Sequence, residues 1–269
     1  MFGESMLMKY KKITLFYFLA LPACVLMRVL QLFFTVDVKT GFFKKEYSAY
    51  GLALLIFIAA VCAVCAFFCF TGHRNPARLP RVNPFLTAVS LAAAISTGIE
   101  LFGETFAGTV AAWQTALLYI TGLSAVVWFI LYGVSDIGGI KLPPLLSVLP
   151  AFYLIVRIIC TFTSVSSLAL ISDNILLLAA YCTALLFFLY TGRVFNDIQG
   201  DNNFRKLMVS GMASSILCVT QSVPHFVINI VSSGEYLHTS VIANIALLCL
   251  GLFIAAFTFS YFSAGNTEE

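Results

Sequence analysis

The chain has 269 residues, of which 61% are hydrophobic and 10% are charged, and its mean hydropathy is +0.98. Globular domains carry about 25% charged residues, so this composition excludes a soluble protein and predicts an all-α, polytopic membrane protein. The formal net charge of +3 is spread over the ends of apolar runs, so no basic patch for nucleic acid is expected.

Eight apolar runs of about 20 residues recur along the chain, and each is long enough to cross a hydrocarbon core of about 30 Å. They lie near 13–34, 48–70, 84–103, 109–133, 143–163, 174–192, 206–231 and 239–262. Local signals mark some of their ends. Asn83-Pro84 reads as a cap and a first-turn proline, Pro143-Pro144 opens the fifth run, and Gly72 and Gly192 close the second and the sixth.

The first and fifth runs each place an arginine after a proline, Arg28 after Pro22 and Arg157 after Pro150. An arginine in the middle of a membrane helix costs about 2.5–3.5 kcal/mol on insertion scales. Each guanidinium is therefore expected to face a shared interior, where it meets either a ligand or an internal partner.

The connection between the first two runs, Val36 to Glu46, is the most distinctive polar segment. Its Phe42-Phe43 pair is flanked by lysines, which is typical of a segment at the level of the lipid head groups. We expect an interfacial anchor here; the alternative is a lid over the mouth of a cavity.

Three cysteines of the second run, Cys62, Cys65 and Cys69, recur on one helical face. No neighbouring histidine or carboxylate completes a metal-ligand set, so small residues at a helix interface are the preferred interpretation. Neither a metal nor another cofactor is expected.

The distribution of basic residues predicts the orientation of the chain. With the N-terminus inside, cytoplasmic segments hold Lys9, Lys11, Lys12, Arg74, Arg78, Arg81, Lys141, Arg193, Arg205 and Lys206. The outer side holds Lys39, Lys44 and Lys45 in one loop, and its other connections carry Glu104, Asp173 and Glu235. We expect an integral protein of a bacterial plasma membrane with both termini cytoplasmic.

The two halves of the chain resemble each other. Residues separated by 120 positions match at Thr71 and Thr191, at Asn83 and Asn203, and at Ser90 and Ser210, and the stretch around Gly122 resembles that around Gly251. This pattern predicts two parallel four-helix repeats, residues 1–135 and 136–269, within one membrane domain and related by an axis along the membrane normal. The alternative is that leucine- and alanine-rich helices resemble one another through composition alone.

Candidate site residues all map to the outer leaflet of this topology. Gln221, His225 and Asn229 follow at four-residue spacing on the seventh run, where Pro224 also frees one backbone carbonyl. The complete candidate set is Arg28, Gln31, Glu100, Gln114, Arg157, Gln221, His225 and Asn229. Two arginines against one glutamate would suit an anionic or zwitterionic ligand, because guanidinium binds carboxylate or phosphate through paired hydrogen bonds.

The sequence contains no Walker loop, His-Glu-x-x-His or Gly-x-Ser-x-Gly motif that would indicate an ATPase or a hydrolase. The leading hypothesis is a permease-like or ligand-binding membrane protein for an anionic or zwitterionic small molecule or a lipid head group. The alternatives are a non-transporting accessory or sensor subunit, favoured by the short loops and the lack of acidic ion-coupling residues at mid-membrane, and then a lipid-modifying enzyme. For the polar groups themselves, the alternative to a ligand site is a purely structural network in which Glu100 neutralises one arginine. The expected partners are the bilayer and such an anion or lipid.

Overall fold

The computed structural model of the protein describes residues 2–36, 48–71, 83–106, 112–135, 143–164, 171–196, 203–231 and 240–264. This part of the chain is almost entirely helical and contains eight helices long and apolar enough to cross a membrane, which confirms the eight predicted spans. The helices are α1 (Phe2–Thr35), α2 (Ser48–Thr71), α3 (Pro84–Phe106), α4 (Ala112–Val134), α5 (Leu149–Ser164), α6 (Ile171–Phe195), α7 (Asn203–Val231) and α8 (Val241–Ala264).

Two of the predicted helix starts can be compared with the structure. The side chain of Asn83 accepts a hydrogen bond from the backbone N–H of Leu86 at 2.7 Å, so the predicted cap of α3 is confirmed. The fifth span also opens at Pro143-Pro144 as predicted, but its first turn is a 3₁₀ turn, Pro144–Val148, and α5 follows it. Pro150 has no N–H to continue an α-helical ladder backwards, which separates the tighter turn from the helix.

The prediction that Gly192 ends the sixth helix is wrong, because α6 continues to Phe195. A Cβ atom at Gly192 would lie 3.1 Å from a methyl group of Val148 and 3.4 Å from the hydroxyl of Ser147. The glycine therefore lets the 3₁₀ turn pack closely against α6. Gly72, the corresponding residue of the second span, lies outside the described residues.

Contacts near the helix ends show that successive helices alternate in direction. Gln114, near the start of α4, donates to Thr163 near the end of α5 at 2.8 Å. Ser90, near the start of α3, donates to the carbonyl of Phe129 in the second half of α4 at 2.6 Å. Helix α4 therefore runs antiparallel to both α3 and α5, as consecutive helices of an up-and-down membrane bundle do.

Helix α7 lies at the centre of the bundle and packs against α1, α2, α6 and α8. Its buried face is rich in serine, threonine and glycine, whose small side chains allow close approach between helices. Hydroxyl groups here bond to the helix itself, as when Ser222 donates to the carbonyl of Cys218 at 2.7 Å. The helix runs without interruption through Pro224.

Aromatic side chains of α4, α6 and α8 pack together in one part of the bundle interior. The cluster consists of Trp128, Phe129 and Tyr132 of α4, Phe187 and Phe188 of α6, and Phe253 and Phe257 of α8. The ring centroids of Phe129 and Phe253 lie 5.1 Å apart at an interplanar angle of 84°, the edge-to-face arrangement that aromatic pairs prefer. This part of the bundle is closely packed.

Candidate functional site

Arg28 is fully buried and forms an ion pair with Asp173, which lies in the first turn of α6. Its guanidinium also donates a hydrogen bond to the side-chain oxygen of Gln31, one turn further along α1. The position of Asp173 suits a carboxylate, because the N-terminus of a helix carries a partial positive charge. A permanent positive charge in the bundle is thus compensated by a helix that is distant in sequence.

Helix α7 supplies two more side chains to the same place. The Nε2 atom of His225 lies 3.6 Å from the carboxylate of Asp173 and 3.2 Å from the amide nitrogen of Gln221. The same amide nitrogen lies 3.5 Å from the backbone carbonyl oxygen of Asp173. We call Arg28, Gln31, Asp173, Gln221 and His225 the Arg28 cluster; it joins α1, α6 and α7.

Two amide groups of the Arg28 cluster keep unused hydrogen-bonding capacity. The Nε2 donor of Gln31 and the Oε1 acceptor of Gln221 are buried and have no hydrogen-bond partner among the described residues. Leaving a buried polar group unsatisfied costs about 1–3 kcal/mol. The cluster therefore offers both a donor and an acceptor that a polar guest can use.

Arg157 belongs to a second group, on α3 and α5. Its guanidinium pairs with Glu100, which also accepts a hydrogen bond from the hydroxyl of Tyr153 at 3.0 Å. The guanidinium carbon lies 5.8 Å from the ring centroid of Tyr181, within the range of a cation–π contact. We call Arg157, Glu100 and Tyr153 the Arg157 cluster.

A small cavity adjoins the Arg157 cluster. Glu100 and Tyr153 line it together with Thr97, Tyr181 and apolar residues of α4, α5, α6 and α8. Its volume of about 10 Å³ is close to the minimum that holds one water molecule. A water fits this cavity, whereas a metabolite requires the surrounding helices to move apart.

The predicted site residues do not all lie in one place in the structure. Arg28, Gln31, Gln221 and His225 come together, whereas Glu100 and Arg157 form the other cluster. Gln114 donates to Thr163 between α4 and α5. Asn229 is half-buried, and its side-chain nitrogen has no hydrogen-bond partner among the described residues.

The placement of Asp173 in an outer connection is corrected by the structure, because this residue is buried within the first turn of α6. Two arginines therefore face two carboxylates rather than one. The sequence contains a signal for this pairing, because Asp173 is an acidic residue at the start of an apolar run and lies at the same membrane level as Arg28. Sequence reasoning also missed Tyr153, which precedes Arg157 by one helical turn on the same face.

Of the cysteines predicted at a helix interface, Cys65 is buried and Cys62 is half-buried. The side chain of Cys69 and the connection from Asp37 to Glu46 lie outside the described residues. Among the side chains that the structure describes, no group of three or more histidine, cysteine or acidic residues could hold a metal ion. Comparison of the chain with protein-family models, with curated proteins and with solved structures found no match.

Proposed function

We propose that the protein is a permease-like or ligand-binding membrane protein whose site is the Arg28 cluster. The observation that carries the proposal is the combination, in one buried place, of a guanidinium, a carboxylate and two amide atoms that have no hydrogen-bond partner among the described residues. Its guest is an anionic or zwitterionic small molecule, or a lipid head group. The Arg28 guanidinium would receive the negative group, and the amide groups of Gln31 and Gln221 would orient it.

We further propose that this site faces the outer side of a bacterial plasma membrane and that both termini are cytoplasmic. The excess of lysine and arginine in the predicted inner segments supports this orientation. Alternating helix directions then bring the Arg28 cluster into the outer half of the bilayer. The aromatic cluster, of which Phe129 and Phe188 line the cavity beside Glu100, would then lie towards the inner side and close the bundle there.

The two-repeat architecture is part of the same proposal. Gly122 of α4 and Gly251 of α8 support it, because the former lies against Leu101 of α3 and the latter against Cys218 of α7. The two helix pairs correspond in the proposed duplication. The main neighbours differ, since α7 packs against four helices and α3 packs chiefly against α4 and α8. The duplicated halves would thus have diverged in their packing.

A non-transporting accessory or sensor subunit is the second candidate. It is favoured by the internal pairing of both arginines, Arg28 with Asp173 and Arg157 with Glu100. Each of these pairs is neutral without a guest, as expected for a network that joins helices. The two candidates differ in whether the Arg28 cluster binds a soluble or lipid guest.

Binding to the purified protein in nanodiscs distinguishes them. The probes are dimethyl phosphate as an anion, glycine betaine as a zwitterion, and phosphatidylglycerol compared with phosphatidylcholine as the nanodisc lipid. We expect at least one probe to raise the unfolding temperature of the wild type and of Glu100→Gln/Arg157→Leu, which leaves the site unchanged. The Arg28→Leu/Asp173→Asn variant should show no such shift.

Uptake of the bound soluble probe into liposomes then tests permease activity. A lack of stabilisation of the wild type by every probe would favour the accessory role. An equal response of the two double variants would place binding elsewhere.

A further inference from the structure

The contact between His225 and Gln221 favours one tautomer of the neutral imidazole. The amide nitrogen of Gln221 lies 3.2 Å from Nε2 of His225, and an amide nitrogen can only donate. Nε2 therefore accepts in this arrangement, and the hydrogen of the neutral ring is on Nδ1. Nε2 is then the ring nitrogen that takes up a proton, once the amide nitrogen of Gln221 turns away from it.

A proton at this nitrogen has partners already in place. The carboxylate of Asp173 lies 3.6 Å away and would gain a second positive neighbour. Turning the amide of Gln221 would present its Oε1 atom, which has no hydrogen-bond partner among the described residues, as an acceptor. The geometry thus supports two states, one with Asp173 paired to Arg28 and one with Asp173 shared with an imidazolium.

Charge balance decides when the second state forms. With a neutral imidazole, Arg28 and Asp173 sum to zero. The sequences of α2 and α8 contain no Asp, Glu, Lys, Arg or His, so cysteine and tyrosine are their only titratable side chains. On α7 itself, Arg205 and Lys206 lie about 30 Å from His225 at 1.5 Å per residue.

An anion that enters this neutral cluster brings one uncompensated charge, and burying an uncompensated charge is strongly unfavourable. A proton on His225 removes this cost. Conversely, a proton alone would place a second positive charge beside Arg28. Binding of the anion therefore favours binding of the proton, and binding of the proton favours binding of the anion.

We propose that the Arg28 cluster binds a monoanion together with one proton, the anion on the guanidinium of Arg28 and the proton on Nε2 of His225. This inference rests on the proposed function of the same site. The imidazolium takes over part of the pairing with Asp173, which releases guanidinium donors to the anion. The ligand class is a carboxylate, sulfonate or phosphodiester, either free or in a lipid head group. Because coupling is reciprocal, the affinity for the anion rises as the pH falls.

Calorimetric titration with dimethyl phosphate between about pH 5 and 8, where histidine usually titrates, tests the coupling while the probe keeps its charge. We expect affinity to rise about tenfold for each unit of pH decrease until His225 is protonated in the free protein. Titrations in buffers of different ionisation enthalpy should show uptake of about one proton per bound anion. The same titration in nanodiscs with and without phosphatidylglycerol distinguishes the sources, because a lipid ligand would compete with the soluble probe.

His225→Gln should bind more weakly, with no dependence on pH and no proton uptake, whereas the matched variant His238→Gln should behave as the wild type. Wild-type binding without pH dependence or proton uptake overturns the coupling and leaves the proposed function standing. No anion binding at any pH overturns the proposed anion site itself. If His225→Gln fails to fold, the number of protons that the wild type takes up per bound anion decides whether anion and proton binding are coupled.

Discussion

The guanidinium of Arg28 and the carboxylate of Asp173 form a buried ion pair between α1 and α6. The two residues come from different halves of the chain, and the central helix α7 places His225 beside their contact. One polar cluster thus ties three helices together in a bundle whose other contacts are mostly apolar.

Breaking the Arg28–Asp173 pair should destabilise the protein. Arg28→Leu leaves a buried carboxylate and Asp173→Asn leaves a buried guanidinium, and removing one partner of such a pair costs about 3–5 kcal/mol. Arg28→Leu/Asp173→Asn should recover most of this loss, because neither charge remains unpaired. Denaturant unfolding in detergent measures all three variants, and a double variant no more stable than Asp173→Asn would contradict the pairing.

The ion pair of the Arg157 cluster should respond to single and double substitutions in the same way as the Arg28–Asp173 pair. Glu100→Gln and Arg157→Leu should each lower the free energy of unfolding by about 3–5 kcal/mol, and the double variant should be close to the wild type. Tyr153→Phe removes one hydrogen bond to a charged group, worth about 1.5–3 kcal/mol. The same unfolding assay applies, and additive losses in the double variant would show that the two residues do not act as a pair.

The close contact between α7 and α8 at Gly251 should not tolerate a methyl group. A Cβ atom there would lie 2.7 Å from the Cβ of Cys218, which is attached directly to the backbone, so one helix must shift. We expect Gly251→Ala to cost about 1–3 kcal/mol, as overpacking typically does. Gly98→Ala is the matched control, because nothing lies within 4 Å of its added Cβ. Equal stabilities of the two variants would contradict the predicted helix contact.

Reporter fusions test the proposed orientation. We expect outside signals for fusions at Glu104, Ser167 and Glu235, and inside signals at Arg78 and Lys141, because basic residues concentrate in the predicted cytoplasmic segments. An alkaline phosphatase and a fluorescent protein report the two sides independently. A cytoplasmic signal at Glu104 would invert the topology and move the Arg28 cluster to the inner leaflet.

Much of the candidate site follows from local sequence pattern. Gln221 and His225 are neighbours because residues four apart share a helix face, and Gln31 contacts Arg28 for the same reason. The interior position of both arginines follows from the cost of exposing a charge to lipid. The identity of each arginine's partner does not follow from local sequence, because it depends on which helices are adjacent.

The sequence by itself determined the class and the number of spans, since an apolar run of about 20 residues has one stable way to satisfy its backbone in a bilayer, as a helix. Only the tertiary structure decided that Arg28 meets Asp173 while Arg157 meets Glu100. It also decided that Gly192 serves close packing rather than helix termination. The physical reason is that helix formation in a membrane is a local property, whereas the choice of neighbours depends on packing and charge pairing among all the helices together.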